Sequence, residues 1–351
     1  MPTIEPPQSQ SRGLPLSNRA WVHAALSRAK TVRVPYNFSF TPPARDLLER
    51  HFGTPALEDL LSFPVASTSL KSIKPKFGTP QTAGQIVRDE FGVGWAQSAL
   101  DRGSPVAPPL AEASLAGYRF PDPAAAYRFE DLSAWCRAQR EQFTLIWVGD
   151  LWERATFLRG MEQMLLDLAL DAEFVETLLR EITDYILRTL EILLARFEFD
   201  AIALSDDYGT QRAMMMSPAH WRRYLRPRVA EIYALAHKHG RIVFHHSCGH
   251  IEPIIGDLID IGLDVLHPIQ PEAMDVYRLK RQFGRRLSFW GGIRTQTLLP
   301  SGTPAQVRDE VRHLKQIMGE GGGYVLEPGI TLQADVPLAN LLAMIEEARA
   351  D

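Results

Sequence analysis

Two rhythms of apolar and polar positions run through the chain. The first is a set of short, nearly unbroken apolar runs: Phe143 to Val148, Ala201 to Leu204, Arg241 to Phe244, Leu263 to Leu266, Leu287 to Trp290, and Tyr324 to Leu326. Runs of this length without polar alternation predict strands buried on both faces, as in a parallel sheet. Two weaker runs precede them, Val32 to Asn37, where Pro35 argues for a strand end, and Phe63 to Ala66. The second rhythm has the helical period. Its longest stripe is Phe174, Leu178, Ile182, Ile186, Leu190, Leu193 and Leu194. Shorter stripes follow at Trp221, Leu225, Val229, Ile232 and Leu235, at Ile251, Ile254, Ile255, Leu258 and Ile259, and at Val307, Val311 and Leu314. Trp152 to Leu168 and Phe129 to Gln139 also read as helices. Helix starts are marked by Thr41-Pro42-Pro43, Ser217-Pro218, Pro337 and the capping box Thr303 to Gln306, and Gly53 marks a stop.

Eight candidate strands result, starting near 32, 63, 143, 201, 241, 263, 287 and 324, and from the third onward a helical pattern follows each. This alternation predicts an α/β chain folded as a single (β/α)8 TIM barrel over residues 19–351. A doubly wound sheet fits less well, because no Gly-x-Gly-x-x-Gly and no P-loop follows any strand. Residues 70–128 hold few periodic segments and many Gly and Pro. Within them Asp89 to Trp95 reads as a hairpin or ordered loop, and the whole segment either as a lid or as a stretch holding elements that its pattern does not mark. Residues 1–18, polar and rich in Pro and Ser, read as a flexible tail.

Composition narrows the class. The chain has 351 residues, 45% hydrophobic and 23% charged, with a formal net charge of −4 and no basic block, so nucleic acid is not an expected partner. No long uncharged apolar run is present, so no membrane span is expected. Two cysteines exclude a disulfide framework and suit a reducing cytoplasm.

In a barrel the informative polar residues follow the strands. Here they are Asn37, Asp206, Asp207, Gln211, His246, Cys248, Gln270, Glu272, Trp290 and Glu327. Each one alone is ordinary loop solvation or capping; their recurrence at successive strand ends is the signal. The sharpest stretch is His245-His246-Ser247-Cys248-Gly249-His250. A His and a Cys two residues apart on one loop aim an imidazole and a thiolate at one point, which is half of a tetrahedral zinc site. Cys136 lies in a helical stretch and reads as core. The further ligands are left to Glu272, Glu327 and the Asp206-Asp207 pair. That pair reads either as a turn cap or as acid/base chemistry, since neighbouring carboxylates raise each other's pKa. Trp147, Tyr208 and Trp290 would add aromatic walls for a planar or cationic small molecule.

Several segments together resemble the uroporphyrinogen decarboxylase superfamily. They are Trp152 to Gly160, Ser205-Asp206-Asp207-Tyr208-Gly209-Thr210-Gln211, His246 to Pro253, Gln270 to Asp275, Phe289 to Ile293 and Gly321 to Tyr324. The superfamily includes zinc methyltransferases of corrinoid pathways and is related to cobalamin-independent methionine synthase. The resemblance implies a barrel with its pocket at the C-terminal face and zinc held by H-x-C and a later Cys. His246 and Cys248 match the first two positions. Leu326-Glu327-Pro328-Gly329 stands where the later Cys would be, which makes Glu327 the expected third ligand. Glu272 comes next, by similarity to the Glu of methionine synthase. The arginine-bearing N-terminal signature of the decarboxylases is absent, the first strand reading Val34-Pro35-Tyr36-Asn37-Phe38.

The expected function is therefore a metal-dependent methyltransferase that moves a methyl group from a small methylated substrate to a corrinoid protein or another acceptor. Asp206 and Asp207 would be catalytic; Asn37, Trp147, Tyr208, Gln211, Gln270 and Trp290 would bind substrate; zinc would sit on His246, Cys248, Glu327 and Glu272. Expected partners are the small substrate, a corrinoid protein and a second copy of the chain. The alternatives are a decarboxylase or lyase, and a barrel that has lost catalysis.

Overall fold

A computed structural model describes residues 17–29, 31 and 33–350. The expected tail lies outside these residues up to position 16. The described strands are β1 (Val65–Ser69), β2 (Ile86–Arg88), β3 (Gly94–Ala96), β4 (Ser104–Ala107), β5 (Phe143–Gly149), β6 (Ala201–Ser205), β7 (Ile242–His246), β8 (Val265–Ile269), β9 (Ser288–Ile293) and β10 (Tyr324–Pro328). Seven of them form one parallel sheet in the order β1-β5-β6-β7-β8-β9-β10. The buried apolar runs of β5 to β10 are the ones the first rhythm marks, whereas β1 buries Val65 alone.

The sheet is curled. Laid flat, seven strands at ~4.8 Å spacing would put β1 and β10 roughly 29 Å apart. Yet Val65 of β1, Leu145, Ala203, Phe244, Val265, Trp290 and Val325 of β10 belong to one packed cluster. The expected first strand is reduced to a bridge. Tyr36 pairs in parallel with Leu326, through Asn37 N–H to the Leu326 carbonyl (3.0 Å) and Leu326 N–H to the Pro35 carbonyl (2.8 Å). Pro35 has no N–H to extend a ladder, and Val32 lies outside the described residues. Among the described residues no backbone ladder joins this stretch to β1; the Tyr36 hydroxyl donates to the Leu61 carbonyl instead. The structure thus shows a curled seven-stranded parallel sheet where the sequence predicts eight closed strands.

The helix Asn18–Leu26 packs Val22 and Leu26 into the sheet's inner cluster, beside Val65, Phe143 and Ala201 at strand N-termini. It therefore covers the end opposite the strand C-termini. Buried Asp200 ties it down: the carboxylate accepts from Arg19 Nε (2.8 Å), His23 Nε2 (2.8 Å), and Thr144 N–H and Oγ1 (2.9 Å each). Burial acts to raise the Asp200 pKa, but His23, Thr144 and Arg19 outweigh it and hold the carboxyl down at about 2. A depressed carboxylate stabilises the fold above its unfolded pKa and loses that contribution as pH falls through the folded one. Asp200→Asn should accordingly remove about 2 kcal/mol at neutral pH and flatten the acid limb between about pH 4 and pH 2. Unfolding curves measured against pH check this; an unchanged acid limb would refute it.

The irregular segment contains a three-stranded antiparallel sheet, β2-β3-β4. The expected turn at Asp89 to Trp95 is its first hairpin. Buried Asp89 accepts from Phe91 N–H, Val93 N–H and Trp95 Nε1, and pairs with Arg154 Nη1 at 3.0 Å. Arg154 belongs to the helix Trp152–Arg159, so one carboxylate shapes the hairpin and pins it over the end of β5. The single helix predicted over 152–168 is two, broken at Gly160, whose φ of +88° favours glycine. Among the described residues no helix is long and apolar enough to cross a membrane.

Candidate active site

The loops after β6 and β7 are joined backbone to backbone. Asp206 N–H donates to the His246 carbonyl, Tyr208 N–H to Ser247 Oγ, and His250 N–H to the Thr210 carbonyl. Glycine is required here: a Cβ on Gly249, which has φ +82°, would lie 2.5 Å from the Gly209 carbonyl carbon. This contact carries Asp207, His246 and Cys248 to one place at the C-terminal end of the sheet.

Donor atoms of Asp207, His246 and Cys248 all lie within 4.8 Å of one another. His246 Nε2 is 3.5 Å from Cys248 Sγ and 3.3 Å from Asp207 Oδ1. Tetrahedral zinc, with bonds of ~2.1 Å to N or O and ~2.3 Å to S, separates its ligands by roughly 3.4 to 3.6 Å. The two spacings therefore fit one zinc ion. The His246 lone pair is available if Nδ1 carries the proton, and one arrangement of protons satisfies the whole chain of contacts. His246 Nδ1–H donates to His267 Nδ1 (3.0 Å), and His267 Nε2–H points at Glu327 Oε2 (3.4 Å). Strand register sets this up, since Ser205, His246 and His267 are paired neighbours across β6, β7 and β8.

The electrostatics favour a cation at the same point. Burial disfavours charge on His246, but Cys248 and Asp207 raise its pKa well above the ordinary value. Burial likewise acts to raise the pKa of Asp207, and His246 with the Cys248 N–H overrides it, leaving about 2. Burial lowers the His267 pKa against the pull of Glu327, in keeping with a neutral imidazole between them.

The cluster opens into a cavity of about 490 Å³. Of the expected substrate residues, Asn37, Trp147 and Trp290 line it. The other three do not. Gln270 is buried and accepts the Gly249 N–H, so it braces the loop that carries His246 and Cys248. Tyr208 is buried beneath the loop with its hydroxyl on Asp206. Gln211 is exposed. The aspartates have separated. Asp207 faces the cavity, whereas Asp206 is fully buried, its Oδ1 accepting the N–H groups of Leu151, Trp152 and Glu153. Complete burial pushes the Asp206 pKa well up, against the pull of those donors. Of the two glutamates expected as ligands, Glu327 lines the cavity but engages His267, and Glu272 accepts the Gln296 N–H away from it. The third donor beside His246 and Cys248 is Asp207.

Sequence reasoning missed His267, Glu153 and Arg102. Glu153 accepts from Ser205 Oγ (2.9 Å) and pairs with Arg102 Nη2 (2.8 Å) at the cavity wall. His267 stood in plain view in its strand; the parallel register of β7 on β8 would have flagged it. Arg102 comes from the irregular segment and had no such signal.

Residues 101–350 match the uroporphyrinogen decarboxylase (URO-D) family. The chain belongs to this family. Over 147 residues it is 28% identical to the "Methylcobamide:CoM methyltransferase MtaA" of Methanosarcina barkeri, a stretch that is 42% of this chain and 40% of that protein. The protein of the same name from Methanosarcina barkeri (strain Fusaro / DSM 804) is 26% identical over 147 residues, with the same coverage. The chain thus spans about 40% of the length of the curated relatives it matches. Among solved structures, a methyltransferase from Methanosarcina mazei superposes with a TM-score of 0.68 at 17% identity, covering 95% of this chain and 98% of that one. That likeness is one of fold, and it extends over almost the whole chain.

Proposed function

We propose that this URO-D family protein is a zinc-dependent methyltransferase. It would exchange a methyl group between a small heteroatom-bearing substrate and a corrinoid carried by a partner protein. The supporting fold would be a (β/α)8 barrel in which residues 35–37 stand for the first strand, with residues 70–128 as its lid. The observation that carries the reading is the convergence of His246 Nε2, Cys248 Sγ and the Asp207 carboxylate on one point at the cavity wall. The similarity to proteins named methyltransferases supports it.

Zinc held there would supply Lewis acidity toward a substrate heteroatom. The chain's own residues account for the rest. His267 and Glu327 hold the His246 ring so that Nε2 faces the cavity, the outer arrangement that orients ligating imidazoles. Asp207 accepts the Cys248 N–H (2.8 Å) and so fixes the loop that carries the thiol. Trp147 and Trp290 give the cavity apolar walls, which suit a methyl group and limit water. Free thiols at both cysteines suit a reducing, cytoplasmic setting.

Decarboxylation of a polycarboxylate is less well served. The cavity wall carries Asp207, Glu153 and Glu327 against Lys76 and Arg102, and Arg102 is already paired with Glu153. The non-catalytic alternative leaves the three converging donors without a purpose.

Methyl transfer is reversible in principle, so free methylcobalamin and a panel of small thiols can test the reading. Zinc-loaded protein should demethylate methylcobalamin in the presence of one of these thiols, followed by absorbance, and chelator-treated protein should not. A rate equal to the protein-free rate across the panel, in both directions of transfer, would count against it. Asp207→Asn should keep the fold and lower the zinc-dependent rate by about 10 to 100-fold, the usual cost of disturbing a metal ligand set. A wild-type rate would remove Asp207 from the site.

A further inference from the structure

A second chamber of about 330 Å³ lies between β1, β5 and the β2-β3-β4 sheet. It shares Ser69, Arg102, Trp147 and Ser205 with the cavity of His246 and Cys248, so the two spaces meet at Trp147. Three of its groups are unfinished. Tyr185, only 8% exposed, has a buried hydroxyl with no hydrogen-bond partner. Arg128, 5% exposed, donates through Nη1 to neutral acceptors alone, the Pro123 carbonyl and Thr189 Oγ1, and its guanidinium lies 4.8 Å from the Tyr185 ring. Lys74 donates to the Pro75 and Arg102 carbonyls and lies over the Trp95 ring, with no carboxylate in ion-pair reach among the described residues.

The other three cations in the chamber are all paired, and with five carboxylates between them. Arg154 has Asp89 and Asp150, Arg102 has Glu153, and Lys71 has Glu130 and Asp131. Glu90, which accepts from Ser72, is the one lining carboxylate without a cation, set against two cations without a carboxylate. A buried phenol hydroxyl left without a partner costs about 1–3 kcal/mol, and a buried guanidinium without a counter-charge costs more. Phe91, Ile182 and Ile186 supply the apolar remainder of the wall. The unpartnered donors of Tyr185, Arg128 and Lys74, and not the overall charge of the chamber, are what suit one small anion on a short apolar body, and a planar carboxylate is the anion that a guanidinium reads best.

We propose that this chamber binds the carboxylate end of the substrate through Tyr185, Arg128 and Lys74. The methylated heteroatom would then reach past Trp147 to the His246–Cys248 cavity. The inference rests on the methyltransferase reading for what happens at the other end, but the chamber can be tested without it. The probes are 3-(methylthio)propionate and its neutral amide, titrated by calorimetry into full-length protein freed of metal. Binding of the acid at least about tenfold tighter than the amide is expected, corresponding to ~1.4 kcal/mol. Tyr185→Phe and Lys74→Gln, with melting temperatures close to wild type, should each weaken the acid by threefold or more and leave the amide unchanged. Equal affinity for acid and amide, no binding of the acid at millimolar concentration, or an unaltered acid affinity in Tyr185→Phe would each overturn the proposal. Acid-selective binding in a protein that shows no methyl transfer would uphold the chamber and sink the methyltransferase reading instead.

Discussion

Replacing Cys248 by serine is expected to lower the zinc affinity of this protein by well over tenfold and to abolish metal-dependent turnover. The sulfur is 3.5 Å from His246 Nε2, and its backbone N–H is held by Asp207, so the thiol has little freedom to be elsewhere. Serine keeps the loop's shape and hydrogen bonds but presents a hydroxyl, which is not ionised at neutral pH and is a poor zinc ligand. Even changes outside the ligand set commonly cost about 10 to 100-fold in metal affinity, so loss of a ligand should exceed the lower figure comfortably. Competition with a chromophoric chelator measures the affinity. Cobalt-substituted protein adds a check that a folding defect cannot imitate: thiolate-to-metal absorption should be present in wild type and absent in Cys248→Ser while the melting temperature is retained. Wild-type zinc affinity in the variant would mean that His246 and Cys248 merely pack together. His246→Ala should behave the same way, whereas Glu327→Gln should weaken metal only by disturbing the ring orientation passed on through His267.

The second large effect is on stability. Asp206→Ala is expected to destabilise the protein by about 3–5 kcal/mol, because three buried N–H groups lose their acceptor at ~1–3 kcal/mol each with incomplete additivity. Those groups belong to Leu151, Trp152 and Glu153, the opening turn of the helix Trp152–Arg159, where backbone donors have no partner within the helix. The Tyr208 hydroxyl loses its partner as well. Asp206→Asn keeps one oxygen and should cost less than the alanine variant. Denaturant midpoints compare the two with Asp207→Asn, which should cost about 2 kcal/mol, less than Asp206→Ala, because the Asp207 carboxyl faces the cavity but its pKa is held at about 2, against burial, by His246 and the Cys248 N–H. An Asp206→Ala variant within about 0.5 kcal/mol of wild type would contradict the anchoring role. Glu153 is placed by the same carboxylate, so the loss should also disturb the Glu153–Arg102 wall of the cavity.

The sequence alone determined most elements of the parallel sheet and the first pair of residues in the candidate site. Apolar runs with no polar alternation named six of the seven sheet strands, because a strand covered on both faces has no place for polar residues; β1, which alternates, was marked only by a weaker run. Helix starts at Ser217 and Thr303 were legible because capping is local chemistry: both side chains accept the N–H three residues on. His246 and Cys248 were legible because two residues on one loop are close in space whatever the rest of the chain does. What only the tertiary structure decided has a common cause, which is registration between strands distant in sequence. Asp206 and Asp207 are adjacent in the chain, yet the turn after β6 sends one under the start of a helix and the other into the cavity. Gln270 and Glu272 look alike as post-strand donors, but Gln270 reaches the Gly249 N–H while Glu272 is turned toward the Gln296 N–H. His267 becomes part of the candidate site because β8 lies beside β7 in parallel register, and buried Glu327 because His267 is there to meet it. Arg102 and Tyr185 reach the two chambers from a segment without periodicity and from a long helix's stripe, where neither residue differs from its neighbours until the chain is folded.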